Sequence, residues 1–187
     1  MKLKRVGEPV PSPDGKWVVF AASEVDYASN KTQSHLWIVP AAGGEARRLN
    51  PTENEEERPR FSPDGKRLIF TSKATDPTQI WISDFDATTG KLSGETRQLT
   101  DISTGADGGI WSPDGKNVAF QMNVESKVNW PVKMPRAPEG AKWVETPRIV
   151  ERLDYRSDGT GFDDDVYRHL FVVPATGGTP RQLTDGE

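Results

Sequence analysis

The residues best suited to binding chemistry lie in a charged segment in the C-terminal third of the chain. Arg152, Asp154, Tyr155 and Arg156 stand almost side by side there. Charged residues around a tyrosine are what a peptide-binding site uses, because a guanidinium can pair with a carboxylate or a carbonyl. This grouping predicts contacts with a peptide substrate. The alternative is that the four side chains pair with their neighbours and hold the segment against the fold, and the sequence leaves both open.

Catalytic residues are not expected in this chain. The nucleophile of an α/β-hydrolase lies in a G-x-S-x-G turn, and the nearest stretch, residues 90–94, has its serine one position too late. The absence of cysteine excludes disulfides, thiolate zinc sites and a cysteine nucleophile. His35 and His169 each stand beside a predicted strand, and we interpret them as hydrogen-bonding residues at hairpin edges. We therefore expect no hydrolysis by this chain and no cofactor.

Two acidic clusters invite a search for metal sites. Asp158 with the three aspartates at 163–165 could surround a hard cation such as Ca²⁺, but the alternating ligand spacing of an EF-hand is missing. Residues 53–57 contain four glutamates, which we interpret as a solvated loop. No metal site is predicted.

Composition narrows the class of protein. The chain has 187 residues, a formal net charge of -4, 17 glycines and 15 prolines. The mild acidity argues against nucleic-acid binding, which needs a basic face. No apolar run approaches the roughly 20 residues of a membrane span. No signal peptide is visible behind the charged start, so the expected location is the cytoplasm, or the periplasm or exterior if a signal peptide has been removed.

The positions of all these residues depend on an internal repeat. S-P-D-G-K begins at Ser12, Ser62 and Ser112, at a spacing of 50 residues, and each copy leads into an apolar run that ends in phenylalanine. Proline presets the turn, aspartate tolerates its third position, and glycine supplies the positive φ at its exit. The aspartates and glycines are thus structural turn residues: Asp14, Gly15, Asp64, Gly65, Asp114 and Gly115.

Two further strand patterns complete each repeat. Short aromatic and β-branched runs occupy residues 36–39, 80–83 and 170–173, and a glycine turn then leads to a strand ending at Leu49, Leu99 or Leu183. Four strands with apolar residues on both faces, repeated about every 50 residues, predict an all-β fold of β-propeller blades. We assign the three blades, whose ring does not close within this chain, to residues 1–50, 51–100 and 101–187. The third carries an insertion of 34 residues within about 121–168.

This pattern resembles the N-terminal β-propeller of the prolyl oligopeptidase family of serine peptidases. The insertion sequence E-R-L-D-Y-R-S-D-G-T-G at 151–161, the run R-H-L-F-V-V at 168–173 and the opening L-K-R-V-G at 3–7 are similar to the acylaminoacyl-peptidase and dipeptidyl-peptidase branch. TolB-type translocation proteins carry the same S-P-D-G turn. The resemblance extends over essentially the whole chain.

The resemblance implies a non-catalytic propeller that gates or positions short peptides for an α/β-hydrolase domain in the same protein. That domain, with its Ser-Asp-His triad, is absent from these residues, so we expect the chain to be a fragment. The alternative is a TolB-like protein-interaction propeller with no peptidase activity. Because each blade is apolar on both faces, the two terminal faces are expected to drive self-association, with a closed six-bladed homodimer as its best-ordered form.

Overall fold

A computed structural model describes residues 5–27, 29–125, 138–141, 153, 155–158, 161–162 and 166–186. The described residues contain strands and turns and no helix, so the predicted all-β class is confirmed. In chain order the strands are β1 Arg5–Val6, β2 Val10–Pro11, β3 Trp17–Asp26, β4 Lys31–Pro40, β5 Arg47–Arg48, β6 Glu56–Phe61, β7 Arg67–Ser72, β8 Gln79–Asp86, β9 Lys91–Gln98, β10 Asp107–Trp111, β11 Asn117–Glu125, β12 Arg156–Ser157, β13 Gly161–Phe162, β14 Val166–Pro174 and β15 Arg181–Gln182.

Three antiparallel sheets follow one another along the chain, each built as a meander. The first has the order β1-β3-β4-β5, with β2 also pairing with β3, the second β6-β7-β8-β9 and the third β10-β11-β14-β15. The predicted blades are therefore present. The first sheet differs from the expected four strands because its first strand is divided into β1 and β2. Pro9 stands at the division, and a proline has no N–H to donate to a neighbouring strand.

The three S-P-D-G turns have one geometry. In each, the glycine N–H donates to the serine carbonyl at 2.9 Å, and the serine hydroxyl donates to the aspartate carboxylate at 2.6 Å. These hydroxyl bonds, helped by the N–H of the following lysine, lower the pKa of each turn aspartate. The glycines have φ of 71°, 69° and 66°. The repeated pentapeptide therefore closes the hairpin between the first and second strand of every sheet.

Apolar side chains fill the space between the first and second sheets. Val19, Leu36 and Ile38 of the first sheet are buried in one cluster with Leu68 and Phe70 of the second. Burial of each such side chain contributes about 1.5–3 kcal/mol. Of the three sheets, the second has a neighbouring sheet on each side, so its strands can be covered on both faces. Its strand β7 is accordingly buried along almost its whole length.

Long side chains join neighbouring sheets through backbone carbonyls. Arg47 of the first sheet donates to the Gly90 carbonyl of the second at 2.7 Å. Arg97 of the second donates to the Ala175 carbonyl of the third, also at 2.7 Å. The indole N–H of Trp17 donates to the Ala87 carbonyl at 2.8 Å. These bonds use acceptors in turns, so they fix the spacing of the sheets without altering the strand pairing.

The sheets spread outward from their first strands. β2 contacts β6, and β6 contacts β10, whereas the described residues show no contact between the fourth strands β5, β9 and β15. We call the row formed by β2, β6 and β10 the first-strand edge. This arrangement is that of consecutive propeller blades around an axis.

The residues from Asn123–Tyr167 form a second compact unit. Its described part includes the short antiparallel pair of β12 and β13, with Arg156 opposite Phe162. The unit falls within the insertion that the sequence predicts between the second and third strands of the third blade.

Candidate functional site

Charged residues of all three sheets meet at the first-strand edge. An Arg60 guanidinium nitrogen lies 2.7 Å from a Glu8 carboxylate oxygen, and an Arg58 nitrogen lies 2.9 Å from the Asp107 carboxylate. The indole N–H of Trp111 donates to the Arg60 carbonyl at 3.0 Å. The first sheet is thus tied to the second, and the second to the third, by side chains that remain partly exposed to solvent.

The backbone at Arg58 adopts a conformation that favours glycine. The pairing of β6 with β7 shifts register between Glu57 and Arg60, and Arg58 within this bulge has φ of 53°. The third sheet repeats the bulge between Asp107 and Ile110, and there Gly108 has φ of 68°. Positions 58 and 108 are one repeat apart, so equivalent bulges contain arginine in the second sheet and glycine in the third.

The arginine at position 58 is energetically unfavourable for the fold. A non-glycine residue in the left-handed region costs about 1–2 kcal/mol. In return, the Arg58 side chain pairs with Asp107, but the two side chains are 56% and 50% exposed. An exposed pair of this kind contributes about 0–1 kcal/mol. The ion pair therefore does not offset the backbone cost.

The neighbouring Arg60 has a different role. One terminal nitrogen of its guanidinium donates to the Pro59 carbonyl at 2.9 Å and the other to Glu8 at 2.7 Å. Both terminal nitrogens are occupied by the fold. Within the described residues, Arg58 uses one terminal nitrogen on Asp107, which leaves N–H donors of its planar fork directed at no protein group. Arg58 can bind an anionic ligand through these donors while it keeps its contact with Asp107, whereas a ligand at either terminal nitrogen of Arg60 would share that nitrogen with Pro59 or Glu8.

The interpretation of the acidic run at 53–57 as a solvated loop is wrong for one residue, Glu56. It begins β6 and is only 2% exposed. Its Oε1 accepts from the Asn50 amide at 2.6 Å and from the Thr52 hydroxyl at 3.2 Å, while Oε2 has no hydrogen-bond partner within the described part of the chain. Burial raises the pKa of Glu56 to about 7, against the two donors and the nearby Arg48 guanidinium, which lower it.

The loop between the first two sheets folds back over this carboxylate. Arg48 Nη2 donates to the Thr52 carbonyl at 2.6 Å, and His35 Nδ1 lies 3.1 Å from the Asn54 carbonyl. The residue one repeat after Glu56 is the buried Ala106. The sequence offered one signal for this site, since an apolar residue at the repeat position indicates that the glutamate side chain points inward.

His35 and His169 occupy the same place in the first and third sheets. Each precedes the aromatic run of the third strand, and each is buried. His169 Nδ1 lies 3.4 Å from the Thr184 hydroxyl. In the second sheet the equivalent residue is Gln79, whose amide donates to the Ile102 carbonyl at 2.7 Å. All three side chains fasten the segment that follows the fourth strand of their sheet.

The predicted peptide-contacting residues are only partly within the described structure. Arg152 and Asp154 lie outside the described residues. Tyr155 and Arg156 lie in the second compact unit, are exposed, and each has a contact. The substrate-binding role of the four residues stays a prediction.

The described residues contain no cluster of three or more side chains suited to a metal ion. Of the predicted acidic cluster, Asp158 is exposed in a turn and residues 163–165 lie outside the described residues. Across the part of the chain that the structure describes, no helix is long and apolar enough to cross a membrane.

No family model matches the sequence. No curated protein matches it either. Solved structures do match. Acylaminoacyl peptidase from Pyrococcus horikoshii superposes with a TM-score of 0.68 at 17% identity, over 97% of this chain and 25% of that chain. A puromycin-hydrolyzing peptidase of Mycobacterium tuberculosis gives 0.59 at 14% identity, over 98% of this chain and 24% of that chain.

A putative TolB from Agrobacterium tumefaciens gives a TM-score of 0.57 at 20% identity, over 97% of this chain and 49% of that chain. The chain thus spans about a quarter of the length of these peptidases and about half of the TolB. At these identities the likeness establishes the fold. It confirms the predicted propeller segment, and the resemblance drawn from the sequence motifs has structural counterparts in propeller-containing peptidases.

Proposed function

We propose that this chain is the non-catalytic propeller part of a serine peptidase of the prolyl oligopeptidase family and that it gates or positions short peptides. The observation that carries the proposal is the superposition of nearly the whole chain on part of an acylaminoacyl peptidase at a TM-score of 0.68. The insertion motif at 151–161 supports the same branch. The proposal extends the shared fold to a shared role.

The chemistry would be divided between two parts of the parent protein. Acyl transfer requires a serine, a histidine that takes its proton, and an acid that orients the histidine. The two histidines here are committed to loops, and the sequence has no nucleophile elbow. A hydrolase domain in the same protein would supply the triad. The propeller would contribute size selection, because a narrow passage admits a short or unfolded peptide and excludes a folded one.

The test uses the complete gene product. We expect it to hydrolyse N-acetylated peptides or dipeptidyl substrates, to be inactivated by a serine-directed phosphonate, and to cleave a short peptide much faster than a folded protein with the same N-terminal sequence. The 187-residue chain assayed by itself should release no product at any protein concentration. A gene product with neither hydrolysis nor phosphonate labelling would overturn the proposal.

A TolB-like interaction propeller is the rival function. The superposition on the putative TolB supports it at the level of the fold. The phosphonate experiment separates the two functions, because an interaction propeller carries no activated serine. A gene product that is unlabelled but forms a stoichiometric complex with a protein partner would favour the rival.

A further inference from the structure

We propose that the Arg58 guanidinium binds the C-terminal carboxylate of a short peptide at the first-strand edge. The proposal rests on the proposed role in handling peptides and names the group that the propeller recognises. It places a binding residue in the second sheet, outside the insertion where the sequence pattern predicts substrate contacts.

The first argument is the identity of the residue in the bulge. Gly108 shows that the repeat accommodates glycine at this position, with φ of 68°. Arg58 holds nearly the same backbone conformation, with φ of 53°, in the second sheet. Residues kept in such conformations against the preference of the backbone are concentrated at functional sites. The only charge partner of Arg58 in the described structure is the half-exposed Asp107.

The second argument is the position of the Arg58 guanidinium beside Asp107 and Gly108. Asp107 Oδ1 accepts the N–H of Gly108 at 2.8 Å, and Oδ2 faces Arg58 Nη1 at 2.9 Å. The guanidinium also lies close to Gly108, where a Cβ would be in ordinary contact with Arg58 Nη1 at 3.7 Å. Asp107 thus lies beside one end of the guanidinium, and the other N–H groups remain available. A planar fork of this kind binds a carboxylate through two parallel hydrogen bonds.

The third argument concerns the ligand. β6 and β10 are the terminal strands of their sheets, so their outer edges have no partner strand within the described residues. Such edges offer N–H and C=O groups to an extended peptide outside the bulges at Arg58 and Gly108, because a bulge interrupts strand pairing and Pro59 has no N–H. Asp107 stands beside the guanidinium and disfavours a second negative charge, which favours a single carboxylate over a phosphate. A peptide lying along the edge with its C-terminus at Arg58 satisfies both conditions.

The experiment compares two peptides that differ in one group. The chain is titrated calorimetrically with N-acetyl-Ala-Ala-Phe as the free acid and as the amide. We expect the acid to bind about tenfold more tightly, as befits hydrogen bonds to a charged group. In Arg58→Gly this preference should disappear while the melting temperature stays the same or rises, because the strain is relieved. Asp107→Asn should strengthen binding of the acid, since its competitor for the guanidinium is lost.

Arg60→Gln serves as the matched control, because it removes an arginine whose terminal nitrogens are used by the fold and should keep the preference for the acid. Equal binding of acid and amide by the unaltered chain would overturn the proposal, as would a preference that survives in Arg58→Gly. A marked fall in the melting temperature of Arg58→Gly would also overturn it, because the arginine would then be a structural residue. The titration involves no hydrolysis, so its outcome is separate from that of the peptidase test.

Discussion

At the scale of single residues, the contact between the first two sheets depends on a glycine that both its turn and its tertiary contacts require. Gly90 lies in the turn before β9 with φ of 65°, and a Cβ there would lie 2.7 Å from the indole of Trp17. The carbonyl of Gly90 also accepts the Arg47 guanidinium. The same residue therefore forms a turn and receives two side chains of the preceding sheet.

Gly90→Ala is expected to destabilise the fold more than Gly15→Ala. Gly15 has φ of 71° and open space around its Cβ position, so alanine there carries only the backbone cost of about 1–2 kcal/mol. Alanine at position 90 also displaces Trp17, which adds about 1–3 kcal/mol. Urea unfolding of both variants measures the difference. Equal losses would mean that the indole moves aside without cost.

At the scale of elements, the loop that leads into β6 encloses an ionisable group. Glu56 is covered by the segment between Leu49 and Glu55, and its carboxylate is held by Asn50 and Thr52. Arg48 of β5 approaches the same segment from the first sheet. The stability of this contact between sheets therefore depends on whether the Glu56 carboxyl is protonated, whereas the apolar contacts beside it do not depend on pH.

The free energy of unfolding should fall as pH rises through the range from about 4.5 to about 7. The folded pKa of Glu56 is about 7 and its ordinary value is 4.5, so the folded state binds the proton more tightly. The resulting stabilisation is complete below the ordinary value and is lost above the folded value. It amounts to at most about 3 kcal/mol. Glu56→Gln should remove this pH dependence and be more stable than the unaltered chain at pH 8, because the buried amide carries no charge.

Urea titrations between pH 5 and pH 8.5 make the measurement. Glu55→Gln is the matched control, because Glu55 is the preceding residue and pairs with Lys73 on the exposed side. It should retain the pH dependence of the unaltered chain. If the pH dependence survives in Glu56→Gln, another group is responsible for it.

At the scale of the whole molecule, the third sheet exposes positions that the other two sheets bury. Two sets of equivalent side chains show this. In the third strand of each sheet the exposed fractions are Leu36 0%, Ile80 1% and Leu170 44%, and directly after the fourth strand they are Leu49 5%, Leu99 5% and Leu183 47%. On the opposite side of the stack, Phe20 of the first sheet is half-buried, whereas its equivalents Phe70 and Phe120 are buried. The outer face of the third sheet is thus equivalent to the face with which the first sheet packs on the second. The outer face of the first sheet is equivalent to the face with which the second sheet packs on the first.

We expect copies of this chain to associate through these faces, with a closed ring of two chains and six blades as the ordered form. Light scattering at micromolar concentration should show a mass above 20.7 kDa. Leu170→Glu should shift the population towards the monomer, because it charges an apolar contact. Leu153→Glu, at a fully exposed position of the second compact unit, is the control and should leave the mass unchanged. A monomer that persists on concentration would contradict the expectation.

The sequence by itself determined the strands, the turns and the stacking of propeller blades, because these depend on local signals repeated every 50 residues. Proline, aspartate and glycine specify the turn wherever they occur together, and an apolar run on both faces requires neighbours on both sides. The four residues proposed from the insertion remain predictions, since two lie outside the described structure.

The tertiary structure alone decided the environment of Glu56 and the conformation of Arg58. An acidic run is usually solvated, and Glu56 is buried only because a loop from the preceding sheet closes over it. The positive φ of Arg58 follows from a bulge in the pairing of β6 with β7, and its partner Asp107 belongs to the next sheet. Both sites join residues of different repeats, so the repeat does not identify their partners. It indicates only, through the buried Ala106 at the position equivalent to Glu56, that the glutamate side chain points inward.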